Sequence, residues 1–431
     1  MQDIKDIPLS KLPDTIKAFG LKPFTTSQLI QWLYKKGATS FDEMTNLSMD
    51  ARRVLSENFH TGRLRLKNTL ASIDGTKKFA WELEDGNIVE SVLIPSEPGS
   101  KVPNPPTPPF KKGGQTAMSP PLEKGGPGGI STRLTLCVST QVGCAMGCSF
   151  CRTAGMGFVR DLTQGEIVGQ ILEASSVIAS LPRSAGRAKQ SPANKCVRGI
   201  ASSPKAPRND TPRITNVVLM GMGEPLANYE NVLSAIRIMT DTKCLNLSRR
   251  HVTLSTCGLI PGIEKLAKDD PGVKLAISLN ATTDEQREKI MPVNKKYPLA
   301  KLFEALKKYS AATKRSRMTF EYVMIDGFND SNEDAKRLVK FLSYFPSKVN
   351  LIPLNPVTQR SGRACSAQDV AQDFSPASSI GRSKDLRYKA PSESTIQRFA
   401  QFLRNKHIQV NIRSSRGQDI LAACGQLASG K

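Results

Sequence analysis

From residue 134 to residue 412, seven short apolar runs alternate with seven amphipathic stretches, and this rhythm constrains the fold more than any other feature of the chain. The runs at 134–139, 214–220, 251–256, 273–279, 318–324, 349–354 and 408–412 suit strands of a parallel sheet. The stretches at 163–177, 229–240, 261–268, 283–291, 299–310, 331–345 and 393–405 read as helices, the first opened by a Thr163/Glu166 capping box. This count predicts an α/β fold, a partial (β/α)6-type barrel, rather than a two-half dinucleotide fold. In such barrels the loops after the strands carry the chemistry.

Three segments interrupt the rhythm and read as loop insertions. Residues 99–130 hold eight prolines and many glycines without apolar periodicity, and a Pro-Pro-Phe-Lys-Lys-Gly-Gly unit at 108–114 returns as Pro-Pro-Leu-Glu-Lys-Gly-Gly at 120–126. The segments 181–212 and 362–391 are rich in Ser, Pro and Arg. On the N-terminal side, residues 1–60 read as a small helical accessory unit. A helix over 27–35 places Leu29, Ile30, Trp32 and Leu33 along one stripe, and a second covers 48–59. Residues 61–98 predict antiparallel strands, with a tight turn at Asp74-Gly75 and an alternating β-branched run over 88–94 that carries Glu90. The barrel then occupies 131–427.

The formal charge of +23 points to a polyanionic partner, but the three insertions carry +3, +6 and +2, so only about half belongs to the rest of the chain. Arg249, Arg250, Arg413, Arg416 and the N-terminal unit are candidates for RNA phosphate contacts. No run is long enough to cross a membrane and no export signal opens the chain, which predicts a cytoplasmic protein. Nine cysteines in a reducing compartment argue for metal or redox chemistry rather than structural disulfides.

Cys144, Cys148 and Cys151 lie within eight residues, directly after a strand. Zinc usually takes a fourth protein ligand, and His60, His251 and His407 lie far away in sequence. An iron–sulfur cube on three thiolates instead leaves one iron open to a small ligand. Gly221-Met222-Gly223-Glu224-Pro225 follows the strand at 214–220, where small residues let backbone approach a ligand and a carboxylate can accept from an ammonium group. Ser255, Ser278-Leu279-Asn280 and Asn355 recur at the same ends of later strands, which meet around one pocket in a barrel.

The CxxxCxxC spacing and the GGEP-like element resemble the radical S-adenosylmethionine (SAM) superfamily. The run from Cys137 into the cluster motif, and Arg416-Gly417-Gln418-Asp419-Ile420 leading to Ala422-Ala423-Cys424-Gly425-Gln426-Leu427, are similar to the dual-specificity adenine-C2 methyltransferases. Those enzymes modify adenosine 2503 of 23S rRNA and adenosine 37 of tRNA. The likeness covers nearly the whole chain outside the insertions. It implies a [4Fe–4S] cluster on Cys144, Cys148 and Cys151, and SAM contacts from Gly223, Glu224, Ser255, Ser278, Leu279, Asn280 and Asn355. Asn280 stands where some relatives have histidine. The likeness also implies that Cys424 is methylated, that Glu90 is the general base, and that Cys137 resolves the adduct by forming a disulfide with Cys424. Two SAM per turnover, a flavodoxin- or ferredoxin-type electron donor and a monomer follow from the same resemblance. Competing readings are a C8-methylating relative, a radical enzyme acting on a small molecule or peptide, a non-enzymatic iron–sulfur or zinc RNA-binding protein, and an enzyme disabled by its insertions.

Overall fold

The computed structural model describes residues 1–96, 133–180, 213–313, 317–355 and 388–428. The expected insertions 99–130 and 181–212, and 362–391 up to residue 387, lie outside the described residues, as do Cys196 and Cys365.

The N-terminal unit comprises β1 (Gln2–Asp3), α1 (Leu12–Ala18), α2 (Phe24–Gln31), α3 (Met49–Asn58) and β2 (Phe59–His60). The helix expected over 27–35 begins at Phe24 and continues past α2 as a π turn, Trp32–Lys36, that Gly37 ends at φ 69°. Leu29 and Leu33 are buried, whereas Ile30 and Trp32 flank the stripe and are half-buried. A meander follows, with β3 (Arg65–Ala71), β4 (Lys77–Glu82) and β5 (Ile88–Pro95). The Asp74-Gly75 turn forms as expected, Gly75 donating to Ser72 at 3.0 Å.

The barrel region runs β6 (Leu134–Cys137), β7 (Gln141–Gly143), α4 (Arg152–Gly155), β8 (Phe158–Asp161), α5 (Gln164–Ser180), β9 (Asn216–Leu219) and α6 (Tyr229–Thr240). It continues β10 (Val252–Thr256), α7 (Ile260–Asp269), β11 (Lys274–Ser278), α8 (Asp284–Ile290), α9 (Leu299–Thr313) and β12 (Met318–Met324). It ends with α10 (Asn332–Leu342), β13 (Ser347–Pro353), α11 (Glu393–Asn405) and β14 (Gln409–Ile412). The Thr163/Glu166 box opens α5, with Thr163 N–H donating to Glu166 at 2.9 Å and Glu166 N–H to Thr163 Oγ1 at 3.1 Å. The small ribbon of β7 and β8 around the cysteine motif has no counterpart in the sequence reading, because its strands are too short to show a period of two.

One ten-stranded sheet orders these strands β14-β13-β12-β11-β10-β9-β6-β5-β4-β3. From β6 to β14 the seven barrel strands are parallel neighbours, while β5 pairs antiparallel with β6 and extends the sheet through the meander. The two end strands, β3 and β14, are not sheet neighbours, so the barrel stays open.

The parallel register sorts side chains by face. Val217, Leu254, Ile277, Tyr322 and Leu351 point outward beneath the helices, each no more than 1% exposed. Burying each contributes roughly 1.5–3 kcal/mol. The opposite, inner face carries Thr135, Asn216, Thr253, Thr319, Glu321, Asn350 and Asn411, interleaved by register with Val218, Ala276, Val323 and Ile352, and of these polar groups Asn216, Thr319 and Glu321 are buried. A closed barrel packs that face with branched apolar residues. Here Thr135, Thr253 and Asn350 are half-buried and Asn411 is exposed, so water reaches the inner face.

The fold depends locally on Gly143. Its φ is +75°, and a Cβ there would stand 1.9 Å from the Gly157 carbonyl oxygen, which accepts the Cys144 N–H at 2.8 Å. Gly143→Ala is expected to cost about 2–4 kcal/mol, seen as a lower urea midpoint, and to reduce iron uptake on reconstitution. An unchanged midpoint and iron content would show that the ribbon does not hold the cysteine loop.

Candidate active site

Strand β6 ends at Cys137, and the chain then forms the β7–β8 ribbon whose connection, 144–157, holds the three motif cysteines. Cys151 N–H donates to Cys148 O at 3.1 Å, and Ser149 N–H ties the loop to Ile290 O at 3.0 Å. Cys144, Cys148 and Cys151 line one wall of a cleft at the C-terminal ends of the parallel strands, the end of such barrels that carries the chemistry. Burial pushes the Cys144 thiol up to about 11 and raises Cys148 and Cys151 as well. These thiols therefore become thiolates only against a strong positive charge, which a metal centre supplies. Among the described residues no group of three His, Cys, Asp or Glu side chains is set to hold a single ion, and no histidine lines the cleft. The donor set is three soft sulfurs around a shared space, which fits an iron–sulfur cube with one open corner.

Across the cleft, Gly223, Glu224, Ser255, Ser278, Asn280 and Asn355 contribute to the lining, so the strand-end residues singled out in the sequence do converge. Glu224 is 4% exposed. Its two carboxylate oxygens accept from Leu226 N–H at 3.0 Å and Cys257 N–H at 2.8 Å, and burial raises its pKa. Gly223 has φ +98°, and a Cβ there would meet Gln141 Cβ at 2.5 Å. Asn280 is also left-handed at φ 58° and its Oδ1 accepts from Val323 N–H at 2.9 Å. Leu279 faces the other way, among Leu299, Leu302 and Phe341, because successive strand residues alternate faces. Its side chain takes no part in the cleft.

Cys424 completes the far side of the cleft and also borders a second cavity that is lined by Cys137. Among the described residues it is the sole cysteine common to both. Backbone contacts clamp its loop. Arg152 N–H donates to Gly425 O at 2.8 Å, Thr153 Oγ1 to Leu427 O at 2.6 Å, and Lys78 Nζ to Leu421 O at 3.2 Å. The β3–β4 turn holds the preceding residues, with Gly417 N–H on Asp74 at 2.9 Å and Ser72 Oγ on Asp419 at 2.7 Å. Asn355, expected to contact the cofactor, also uses its amide to bond Cys424 O at 3.0 Å. Cys137 and Cys424 are both free thiols, so the expected disulfide is not a standing bond of this structure. Burial, with Cys424 nearby, pushes the Cys137 thiol up to about 12, and Arg413 opposes that shift.

Glu90 stands apart from the lining of both cavities. Its carboxylate pairs with Lys78 Nζ at 3.0 Å and accepts from Ala428 N–H at 3.0 Å, which holds it against the segment that carries Cys424. Burial raises its pKa and Lys78 works against that rise. Arg416, a candidate for RNA contact, donates to Pro95 O at 3.2 Å.

Several site residues escaped the sequence reading. Arg287, 0% exposed, donates to Leu279 O at 3.1 Å, Cys257 O at 2.6 Å and Asn294 at 3.0 Å, bracing the ends of β10 and β11. Glu321 lines the cleft and accepts from Asn350 at 2.8 Å, while Arg413, singled out in the sequence as a phosphate contact, instead lines the cleft 3.7 Å from the other Glu321 oxygen. A lone Arg in an amphipathic helix, or a lone Glu in a strand, carries no spacing signal that marks it out.

Comparison with known proteins agrees with this geometry. Residues 2–60 match the family described as the ribosomal RNA large subunit methyltransferase N-terminal domain, and residues 206–342 match the radical SAM superfamily. The chain is 38% identical to the dual-specificity RNA methyltransferase RlmN of Desulfosudis oleivorans, covering 99% of this chain and 91% of that protein. Its identity to the RlmN of Pelobacter propionicus is also 38%, over 99% of this chain and 95% of the other. The crystal structure of a radical SAM methyltransferase from Sphaerobacter thermophilus superposes with a TM-score of 0.73 at 33% identity, covering 99% of both chains. Membership of the superfamily brings with it a [4Fe–4S] cluster and SAM as cofactors. The chain belongs to the RlmN family of radical SAM RNA methyltransferases.

Proposed function

We propose that this enzyme methylates C2 of adenosine 2503 in 23S rRNA and of adenosine 37 in tRNA, through a methyl group carried on Cys424. The observation that carries this reading is the position of Cys424, shared between the cleft of the three cluster thiols and the cavity of Cys137. When bound, the cluster and SAM supply a sulfonium methyl group and a one-electron route to a 5′-deoxyadenosyl radical.

Cys144, Cys148 and Cys151 hold the cluster, while Glu224, Ser255, Ser278 and Asn280 line the space beside it. Cys424 Sγ accepts the methyl group and presents its carbon to adenine C2. Glu90 takes the C2 proton. The Cys137 thiolate then attacks Cys424 Sγ and breaks its bond to the transferred carbon, which takes the electron pair and a proton to become the C2 methyl group. The transient disulfide left behind is returned to two thiols by a two-electron thiol reductant. A flavodoxin- or ferredoxin-type donor and a monomeric enzyme complete this reading, and the N-terminal helical unit assists in holding RNA.

Anaerobic turnover of the reconstituted protein with SAM, reductant and unmodified tRNA or 23S rRNA fragment, read by nucleoside mass spectrometry, tests it. The expected product is 2-methyladenosine, absent from Cys424→Ala. Formation of 8-methyladenosine would overturn the regiochemistry, and no methylated adenosine from a protein with an intact cluster would overturn the substrate. Cys137→Ala is expected to leave RNA covalently attached to Cys424, visible as a denaturant-stable adduct on gels; free methylated RNA at the normal rate would remove Cys137 from the scheme.

The Glu90 environment generates a pH prediction. A base with a raised pKa is active only above that raised value, so RNA methylation falls as pH drops through it. Removing the cation that lowers the Glu90 pKa raises it further, so Lys78→Met shifts the acid limb to higher pH. Glu90→Gln loses at least about 10²-fold at every pH. A pH–rate profile unmoved by Lys78→Met would assign the proton to another group.

A further inference from the structure

The rim of the sheet opposite the cofactor cleft is a ring of cations. Arg133 precedes β6, Arg250 precedes β10, Lys274 opens β11, Arg317 precedes β12, and Lys348 is the second residue of β13. Five N-terminal strand ends, those of β10 to β13 side by side and that of β6 across β9, thus carry positive charge. Burial, then Lys348, Arg133 and Arg250, lower the pKa of Lys274, so these groups feel one another. The Lys348 ammonium is likewise lowered by burial and by Arg133, Arg413 and Arg317, with Glu321 as its opposing charge. Among the described residues Arg133, Arg250, Lys274 and Lys348 make no ion pair, whereas many surface lysines and arginines of this chain do. Arg317 donates to Gln409 at 2.8 Å, a neutral partner. Gathering five like charges with Glu321 as the one carboxylate acting on Lys348 costs stability unless a polyanion compensates it.

The inner face of the sheet continues from this rim. Lys348 has Thr319 and Gln409 as register neighbours, and the next inward row is Glu321, Asn350 and Asn411, joined by Asn411 donating to Asn350 at 3.2 Å. Ile352, four residues beyond Lys348, borders both cavities that contain Cys424. Four residues of strand span about 13 Å. A wet face of Thr and Asn side chains offers hydrogen bonds to ribose hydroxyls and base edges.

We propose that substrate RNA enters from this rim. Its phosphodiester backbone rests on Arg133, Arg250, Lys274, Arg317 and Lys348, and the everted nucleotide passes along the polar inner face to meet Cys424 from the side opposite the cofactor cleft. The proposal rests on the RNA-methylating reading above and adds the direction of approach. It gives a use to the polar row Glu321, Asn350 and Asn411 across β12–β14, since an unstacked base needs polar partners along its path. It also locates the part of the positive charge that binds substrate, apart from that on the helical exterior.

The test is fluorescence anisotropy of the full-length holoenzyme with a fluorescein-labelled, unmodified 23S rRNA fragment spanning the target adenosine, over a series of potassium chloride concentrations. Lys274→Gln with Lys348→Gln is expected to weaken binding roughly tenfold near physiological salt and to flatten the log–log salt slope by about 0.7–0.9 per cation removed. Lys274→Arg with Lys348→Arg keeps the wild-type slope, which separates lost charge from a damaged fold. Lys301→Gln with Lys340→Gln, on the exposed faces of α9 and α10, keeps it too. Wild-type slope and affinity in the Gln pair would overturn the entry route while leaving the enzyme's function standing, as would an equal loss in the α9/α10 pair. Failure of the wild-type holoenzyme to bind the fragment would remove both the route and the RNA substrate.

Discussion

The parallel register of β6 and β9–β14 is the constraint on which the rest of the molecule depends. Because side chains alternate along a strand, one register sends Val217, Leu254, Ile277, Tyr322 and Leu351 under the helices and turns polar residues inward. A slip of one residue in any strand would put apolar groups in water and polar groups in the core. The same register aligns the strand ends, so that Glu224, Ser255, Ser278 and Asn280, distant in sequence, line one cleft.

On this scaffold Cys424 is placed by contacts to the backbone around it. Cys424 sits on a segment with little regular structure, yet the carbonyls around it are taken by Arg152 N–H, Thr153 Oγ1, Lys78 Nζ and the Asn355 amide. Three of those donors also belong to the site's own parts: the cluster loop supplies Arg152 and Thr153, and the end of β13 supplies Asn355. The meander supplies Lys78, and Glu90 beside it holds Ala428. Glu90, Cys424 and the 144–157 loop are thereby tied to one another. Asn355 shows that a residue can serve this tethering and the cleft at once.

Much of this architecture was legible in advance. The strands at 318–324 and 408–412, the helices at 229–240 and 393–405, and the box at Thr163 and Glu166 appear where periodicity and capping chemistry put them. The gathering of Cys144, Cys148 and Cys151 at one cleft was legible because three thiols at such short spacing are a pattern local to one loop. Glu321 and Arg287 were not, since each acts through neighbours on other strands and has no pattern in its own, and Arg413, singled out as a phosphate contact, pairs with Glu321 in the cleft. Leu279 was placed in the site by adjacency to Ser278 and Asn280, and alternation turns its side chain away.

The sequence by itself determined the alternation of strands and helices, the cluster motif and the family, because each is a local pattern of residue types. Only the tertiary structure decided that Cys424 lies between two cavities, that Asn355 and the meander hold it there, and that cations from five strand ends form one rim. These arrangements bring together residues up to some hundreds of positions apart, and their proximity is set by strand order and register, which no single segment encodes.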